Sequence, residues 1–448
     1  MQLIKRYKRE TAIIGVVVLT LLALLIVNAV RTSAPATSGN TLADLMGTSN
    51  RTAPLINPGP NATDQQISAY QEKLRVEPDN VAGQATLGLL YLQKAREVGD
   101  PTFYNKAEAV LNKALQLNPK NTDALGGLGS LSLSRHEFTK GLDYGKQAFA
   151  ITPSSYALGV IGDAQTQLGM LDDATNTVQA MVNTRPNISS YSRVSYIREL
   201  YGEDEGAIQA MQQAVDAGAP GTENRAWVTY ELGTLYYNKG DFDTAEKTFK
   251  EAIALYPNYF YTQAGIALIK AARGDLTTSI QMLKDITARM PLPEFLINLG
   301  DIYTLNNQTR EASQQYKLVE GIMQIYRDNG VVTDMEMALF EADHDTNLAG
   351  ALTQAKEAVA KRGFYKAHDV LAWTLYKTGD FKGAAEASKE ALKLGTQDRL
   401  AFFHAGMIAY KLGQKDEAKN YLQKALINPG FSFLHVVEAR KTLASLGN

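Results

Sequence analysis

Small side chains recur in this sequence in a frame of about thirty-four residues, and that recurrence constrains the fold more than any other feature. The clearest unit is Ala226–Pro257, AWVTYELGTLYYNKGDFDTAEKTFKEAIALYP. Its apolar residues follow a helical period on both sides of Gly240-Asp241, which reads as a turn between two amphipathic helices. Leu232-Gly233 falls in the first helix; Ala245, Phe249 and Ala252 fall in the second, and Pro257 stops it. The frame returns at Gly406, Gly413, Ala418, Leu422, Ala425 and Pro429, at Ala372, Gly379, Ala384 and Ala391, at Gly162, Gly169, Ala174 and Pro186, and at Gly88, Ala107, Leu111, Ala114 and Pro119. Helix-stopping prolines at 119, 153 and 186 set the period. Small residues at fixed places let two helices approach closely, and the bulky residues between them fill the gap to the next unit. One unit cannot bury its own apolar face, so the units must stack.

The N-terminus is of another kind. Lys5, Arg6, Lys8 and Arg9 precede TAIIGVVVLTLLALLIVNAV, residues 11–30, which carries no charge. As a helix rising ~1.5 Å per residue, twenty residues reach ~30 Å, the thickness of a bilayer's hydrocarbon core. Only Thr20 and Asn28 interrupt the apolar run. A cleaved secretory signal has a shorter core of ~7–15 residues, although small residues around Ala29 and Ala34 leave cleavage open. Basic residues crowd the N-terminal side, whereas Arg31 alone follows closely. The positive-inside rule then keeps residues 1–10 in the cytoplasm and sends the rest across as a single-pass protein of the cell membrane. Residues 31–63, rich in Thr, Ser, Ala, Pro, Asn and Gly, read as a flexible linker. The stacked helices are expected to occupy 64–448.

A helix–turn–helix period of this length, with its Gly–Ala register and proline stops, resembles the tetratricopeptide repeat (TPR) family. The resemblance covers about 385 of the 448 residues. It implies an all-α, right-handed α-solenoid of about nine to ten helix pairs, preceded by the one transmembrane helix. Around residues 98–103 the first unit carries an insertion. Between Tyr316 and Thr333 the frame stretches into a longer second helix, and Leu434–Gly447 looks like a solvating cap helix.

No enzyme is expected. The chain has no cysteine and a net charge of −2, which removes disulfides, thiolate chemistry and an overall basic footprint for nucleic acid. None of the five histidines sits in a zinc-protease motif, and FEADHDT, with Glu341, Asp343, His344 and Asp345, reads as a polar inter-helix loop. Gly126–Gly129 superficially resembles a phosphate loop but lies inside a repeat's first helix. No catalytic, cofactor, metal or small-molecule site is therefore assigned.

The resemblance places the first helix of each pair on a concave groove, and its inward positions offer two aromatic groups as anchors for a protein or peptide. One is Tyr196, Trp227, Tyr230, Tyr237 and Tyr261; the other is Trp373, Tyr376, Phe403, Met407 and Tyr410. Ala85 and Leu89 stand where some family members carry a Lys/Asn carboxylate clamp, which argues against a chaperone-tail receptor. Residues 187–260 carry 6 basic against 11 acidic residues, and residues 354–448 carry 15 against 9. The expectation is a membrane-anchored scaffold that binds partner proteins outside the cytoplasm. A structural subunit of a larger membrane complex or homo-oligomer is the alternative.

Overall fold

The computed structural model describes residues 62–257 and 259–447, all within the second of two compact units, 53–448. The expected transmembrane helix and nearly all of the expected linker lie outside the described residues. Among the described residues the secondary structure is 22 helices, and none is long and apolar enough to cross a membrane.

Helix α1 (Ala62–Val76) precedes ten antiparallel pairs. These are α2/α3 (Val81–Val98, Thr102–Leu117), α4/α5 (Thr122–Ser134, Phe138–Ile151) and α6/α7 (Ser155–Gln167, Leu171–Thr184). Next come α8/α9 (Ile188–Leu200, Asp204–Ala217), α10/α11 (Glu223–Asn238, Phe242–Leu255) and α12/α13 (Phe260–Ala272, Leu276–Thr287). Then follow α14/α15 (Pro293–Leu305, Thr309–Asp328), α16/α17 (Asp334–Asp343, Leu348–Lys361), α18/α19 (Tyr365–Lys377, Phe381–Leu392) and α20/α21 (Arg399–Lys411, Lys415–Ala425). Helix α22 (Val436–Ser445) closes the array, burying Val436 and Ala439 and leaving Val437 to solvent.

Local chemistry sets the ends of these helices. Asn80, Asn121, Ser154, Thr222, Asp241, Asp275 and Asp380 each accept a backbone N–H three residues on, an N-cap that satisfies one orphan donor of the first turn. The turn inside a pair needs a left-handed residue, supplied by Gly240 at φ 82°. At the equivalent turns His136 and Asn307 adopt φ 60° without a glycine.

The small positions within helices have a steric cause. Phe249 is wedged between Gly233 of its own pair and Gly265 of the next, where an added Cβ would lie 2.6 Å from the ring. Leu111 is held in the same way between Gly88 and Gly127. Both large side chains are buried, so each pair is locked to its successor by one bulky residue in a slot made by two glycines. Gly126, Gly127 and Gly129 serve this packing against Tyr156, Leu111 and Val160.

The array also closes on itself. Arg135 Nε donates to the Asn329 carbonyl, and the Val332 amide donates to the Arg135 carbonyl, both at 3.0 Å. His136 Nδ1 meets the Val332 carbonyl at 2.7 Å. Further along, the Tyr237 hydroxyl donates to the Gly430 carbonyl at 2.8 Å, and Asn428 Nδ2 donates to the Tyr237 carbonyl at 2.9 Å. These partners are 191 to 197 residues apart. With units of about 34 residues, one superhelical turn takes about 5.7 repeats. The pattern is regular: the turns at Gly99, Gly169, Gly202 and Gly240 abut Leu292, Gly363, Gly395 and Ile427. The insertion near residue 98 lengthens α2 and brings Gly99 onto Met290 and Leu292, so it serves this seam.

Candidate functional site: the enclosed concave surface

Because the turns touch, the inner faces of the first helices converge on an enclosed space. On α10, Glu223, Trp227, Tyr230 and Glu231 fall at helical spacing along one stripe. Tyr230 packs against Tyr261 at 5.6 Å and Tyr259 at 6.1 Å, and Tyr261 meets Phe295 at 5.3 Å. Behind this layer Tyr230 stacks on Phe249, which ties the surface to the glycine slot. Tyr196, on α8, lines a cavity of about 440 Å³ with His136, Phe138, Glu336, Arg362 and Lys366. A second cavity, about 270 Å³, lies along the seam and shares Lys366 with Glu199 and Tyr365.

The electrostatics follow from enclosure. Burial raises Glu231, Glu223, Glu294 and Glu199 above the ordinary carboxylate range. Glu231 is pushed up to about 7, mainly by burial and then by Glu199; the Trp227 indole and Lys366 act in the opposite direction. Tyr261 is raised by burial and by the charge of Glu294, with Tyr326, Tyr230 and Tyr104 contributing. Tyr326 in turn is raised by burial and Glu294, and Tyr104 by burial. Residues from α3, α10, α12, α14 and α15 therefore share one low-dielectric interior. Among the described residues, no cation forms an ion pair within 4.0 Å of Glu199, Glu223, Glu231 or Glu294.

The structure separates the ten expected anchors. Tyr196, Tyr230 and Tyr261 line the enclosed surface half-buried, and Trp227 keeps 38% of its surface exposed. Tyr237 does not face it; its hydroxyl is spent in the seam on Gly430. The second group is largely interior packing. Trp373, Phe403 and Met407 are 1%, 0% and 2% exposed, so no partner touches them without repacking. Trp373 lies flat against Tyr376 at 4.8 Å and His404 at 4.4 Å. Its indole N–H donates to Asp343 at 2.8 Å, and His435 Nε2 meets the same oxygen at 2.9 Å. Tyr410, at 38% exposure, is solvated near the end of the array.

The polar residues of FEADHDT join this internal network. His344 Nε2 lies 3.1 Å from Asp301, which also accepts from the Tyr316 hydroxyl at 2.9 Å. His404 Nδ1 lies 3.0 Å from both Asp369 oxygens. Among the described residues no group of three or more His, Asp or Glu side chains is placed to hold a metal ion.

Sequence reasoning missed Glu223, Glu231, Glu294, Tyr259, Tyr326, Tyr365 and Lys366. For Glu223 and Glu231 a signal existed, since both share the helical stripe of Trp227. Tyr326 sits at the end of the elongated α15, and Tyr259 precedes α12, where the repeat frame assigns no inward position.

Comparison with known proteins agrees with the repeat frame. Tetratricopeptide repeat profiles match residues 226–259 and 370–432. A TPR repeat-containing protein of Methanocaldococcus jannaschii is 21% identical over 411 residues, covering 81% of this chain; the chain spans 66% of that relative's length, under two thirds. Among solved structures, a thermophilic TPR protein of Thermus thermophilus is 21% identical and aligns over 41% of this chain and 94% of its own, with a TM-score of 0.36. YrrB, described as a TPR protein with an unusual peptide-binding site, is 16% identical over 44% of this chain and 96% of its own, with a TM-score of 0.27.

Proposed function

We propose that this chain, which carries tetratricopeptide repeats, is a scaffold that captures an extended segment of a partner protein on its concave surface. One observation carries the reading: Tyr196, Trp227, Tyr230 and Tyr261 gather on a single enclosed surface and stay partly accessible. Rigid aromatics with a polar tip supply contact area at low entropic cost, which is what a peptide-binding face needs. The scaffold is tethered by residues 11–30 in a cell membrane, with the repeats on the extracytoplasmic side. Support for this comes from the uncharged length of that run and the four basic residues before it. Tethering raises the local concentration of whatever the repeats hold.

The experiment is site-specific photo-crosslinking in the native membrane, with the photoreactive group at Trp227 or, as a control, at the exposed Val437. A partner peptide crosslinked from 227 and absent from 437, and lost in Tyr230→Ala, is the expected result. Equal crosslinking from both positions rejects concave binding. Protease added to spheroplasts is expected to digest the repeats; full protection rejects the orientation.

A further inference from the structure

The concave surface carries an uncompensated negative charge, and its chemistry specifies a ligand class more narrowly than "peptide". Glu199, Glu223, Glu231 and Glu294 come from three first helices, α8, α10 and α14. Glu199, Glu223 and Glu231 are half-buried and Glu294 is exposed, and none has a cationic partner within ion-pair distance among the described residues. Nearby positive charge is sparse. Arg96 acts on Glu223, and Lys366 acts on Glu199 and Glu231. Asp163, also on this inner side, is already taken by Arg193 at 2.6 Å.

Enclosed carboxylates without partners are costly, because water that would solvate them is partly displaced. A structural role would be met by pairing them within the array, as Arg135 is paired with Glu108 at 2.7 Å. Glu231 and Glu294 are left instead beside Tyr230, Glu294 beside Tyr261 and Tyr326, Glu199 beside Tyr196, and Glu223 beside the buried Tyr259; the half-buried rings of Tyr196, Tyr230, Tyr261 and Tyr326 offer faces for stacking and for cations. Carboxylates interleaved with tyrosine faces are complementary to a chain bearing regularly spaced ammonium or guanidinium groups. Charge complementarity of this kind fixes both selectivity and on-rate.

We propose that the concave surface binds an extended, lysine- or arginine-bearing segment of a partner protein, whose cations pair with Glu223, Glu231 and Glu294 while its backbone runs along the tyrosine hydroxyls. This rests on the concave-surface reading above and gives its ligand a sign. The occupant is extended because the anchors are spread along successive first helices rather than around one pocket: Tyr196 and Glu199 on α8, Tyr230 and Glu231 on α10, Tyr261 on α12 and Glu294 on α14. A cation arriving beside Glu231 displaces the proton that burial keeps there near neutrality, so binding at pH 7 releases protons.

The test uses the full chain in detergent and three unstructured peptides of equal length: alternating Lys/Ala, alternating Glu/Ala and alternating Ser/Ala. Titration calorimetry at pH 7 in two buffers of different ionisation enthalpy reads affinity and proton release together. The Lys/Ala peptide is expected to bind at least tenfold more tightly than the other two. It should weaken with added salt and release protons. The double variant Glu223→Gln/Glu231→Gln should lose tenfold or more, and Glu251→Gln, on the exposed side of α11, should not. Equal binding of Lys/Ala and Ser/Ala peptides, lost in Tyr230→Ala but untouched in the double Gln variant, overturns the cationic class and leaves concave binding standing. Binding insensitive to Tyr230→Ala and to both Gln substitutions overturns both. Circular dichroism and urea midpoints of each variant exclude unfolding as the cause.

Discussion

The Arg135 guanidinium donates to the main-chain carbonyl of Asn329 at 3.0 Å, joining residues 194 positions apart. The same guanidinium holds Glu108 and Asn105 at 2.7 Å each, and the Arg135 side chain is almost wholly buried. One side chain thus ties its own repeat to the preceding one and to the superhelical turn beneath it. A solenoid is ordinarily stabilised by nearest neighbours alone. Here contacts at long sequence separation add a second dimension and convert an open spiral into an enclosed surface.

Arg135→Ala should therefore destabilise beyond a local effect. It leaves the Asn329 carbonyl and the Glu108 carboxylate short of a donor, and hydrogen bonds to charged groups are worth ~1.5–3 kcal/mol each. A loss of about 2–3 kcal/mol in urea unfolding is expected. Hydrogen exchange at the Val332 amide, bonded to the Arg135 carbonyl, should accelerate in the same variant. Unchanged protection at Val332 would show that the seam does not depend on this residue.

The glycine slot allows two effects of opposite sign to be weighed. Gly233→Ala gains ~1 kcal/mol in helix propensity. The added Cβ, however, meets the Phe249 ring far inside contact distance, and overpacking costs ~1–3 kcal/mol. A net loss is expected, read as a lower urea midpoint at constant slope. Phe249→Ala, which empties the slot instead, should cost ~3–5 kcal/mol. A stabilised Gly233→Ala would show that the repeats are not close-packed at this point.

Trp373→Ala should act on stability and not on partner contact. Trp373 fills the space between Tyr376 and His404 and donates to half-buried Asp343. Its loss should cost ~3–5 kcal/mol. Tyr410→Ala, at an exposed position, should stay within ~0.5 kcal/mol of wild type. If Trp373→Ala weakens partner capture at a temperature where circular dichroism shows the array intact, Trp373 acts on the partner after all.

The buried His404 and the half-buried His344 predict a pH dependence of the last repeats. Burial alone lowers the His404 imidazolium, but Asp369 at 3.0 Å outweighs it and leaves the group raised. His344 is likewise raised, by Asp301 against the same burial effect. A raised folded value contributes stability that is fully present below the unfolded value of ~6.5 and is lost as pH rises through the folded one. Asp343 is lowered, against its burial, by His435, so its contribution holds above ~3.9 and is lost as pH falls through the folded value. The urea midpoint should fall between pH 6 and pH 8.5, and His404→Asn should flatten that fall. A midpoint that rises over this interval in the wild type contradicts the sign.

Tyr237, Tyr376 and Tyr410 show where local pattern stops being informative. Each stands three residues before the turn glycine of its repeat, Gly240, Gly379 or Gly413. Tyr237 is buried in the seam under Gly430, Tyr376 is half-buried against Trp373, and Tyr410 is 38% exposed. Their frame position is identical, and their surroundings differ because only Tyr237 has a loop of the following superhelical turn packed over it.

The periodic glycines and alanines, the caps and the helix-stopping prolines determined the helices, their pairing and their serial stacking, because each of those rests on contacts within about one repeat. The closing of the spiral, the enclosed carboxylates and the fate of each aromatic were decided by the tertiary structure. A small rotation per unit accumulates over nearly six units before two loops meet. No single repeat encodes that sum, so residues 190 positions apart become neighbours without any local sign of it.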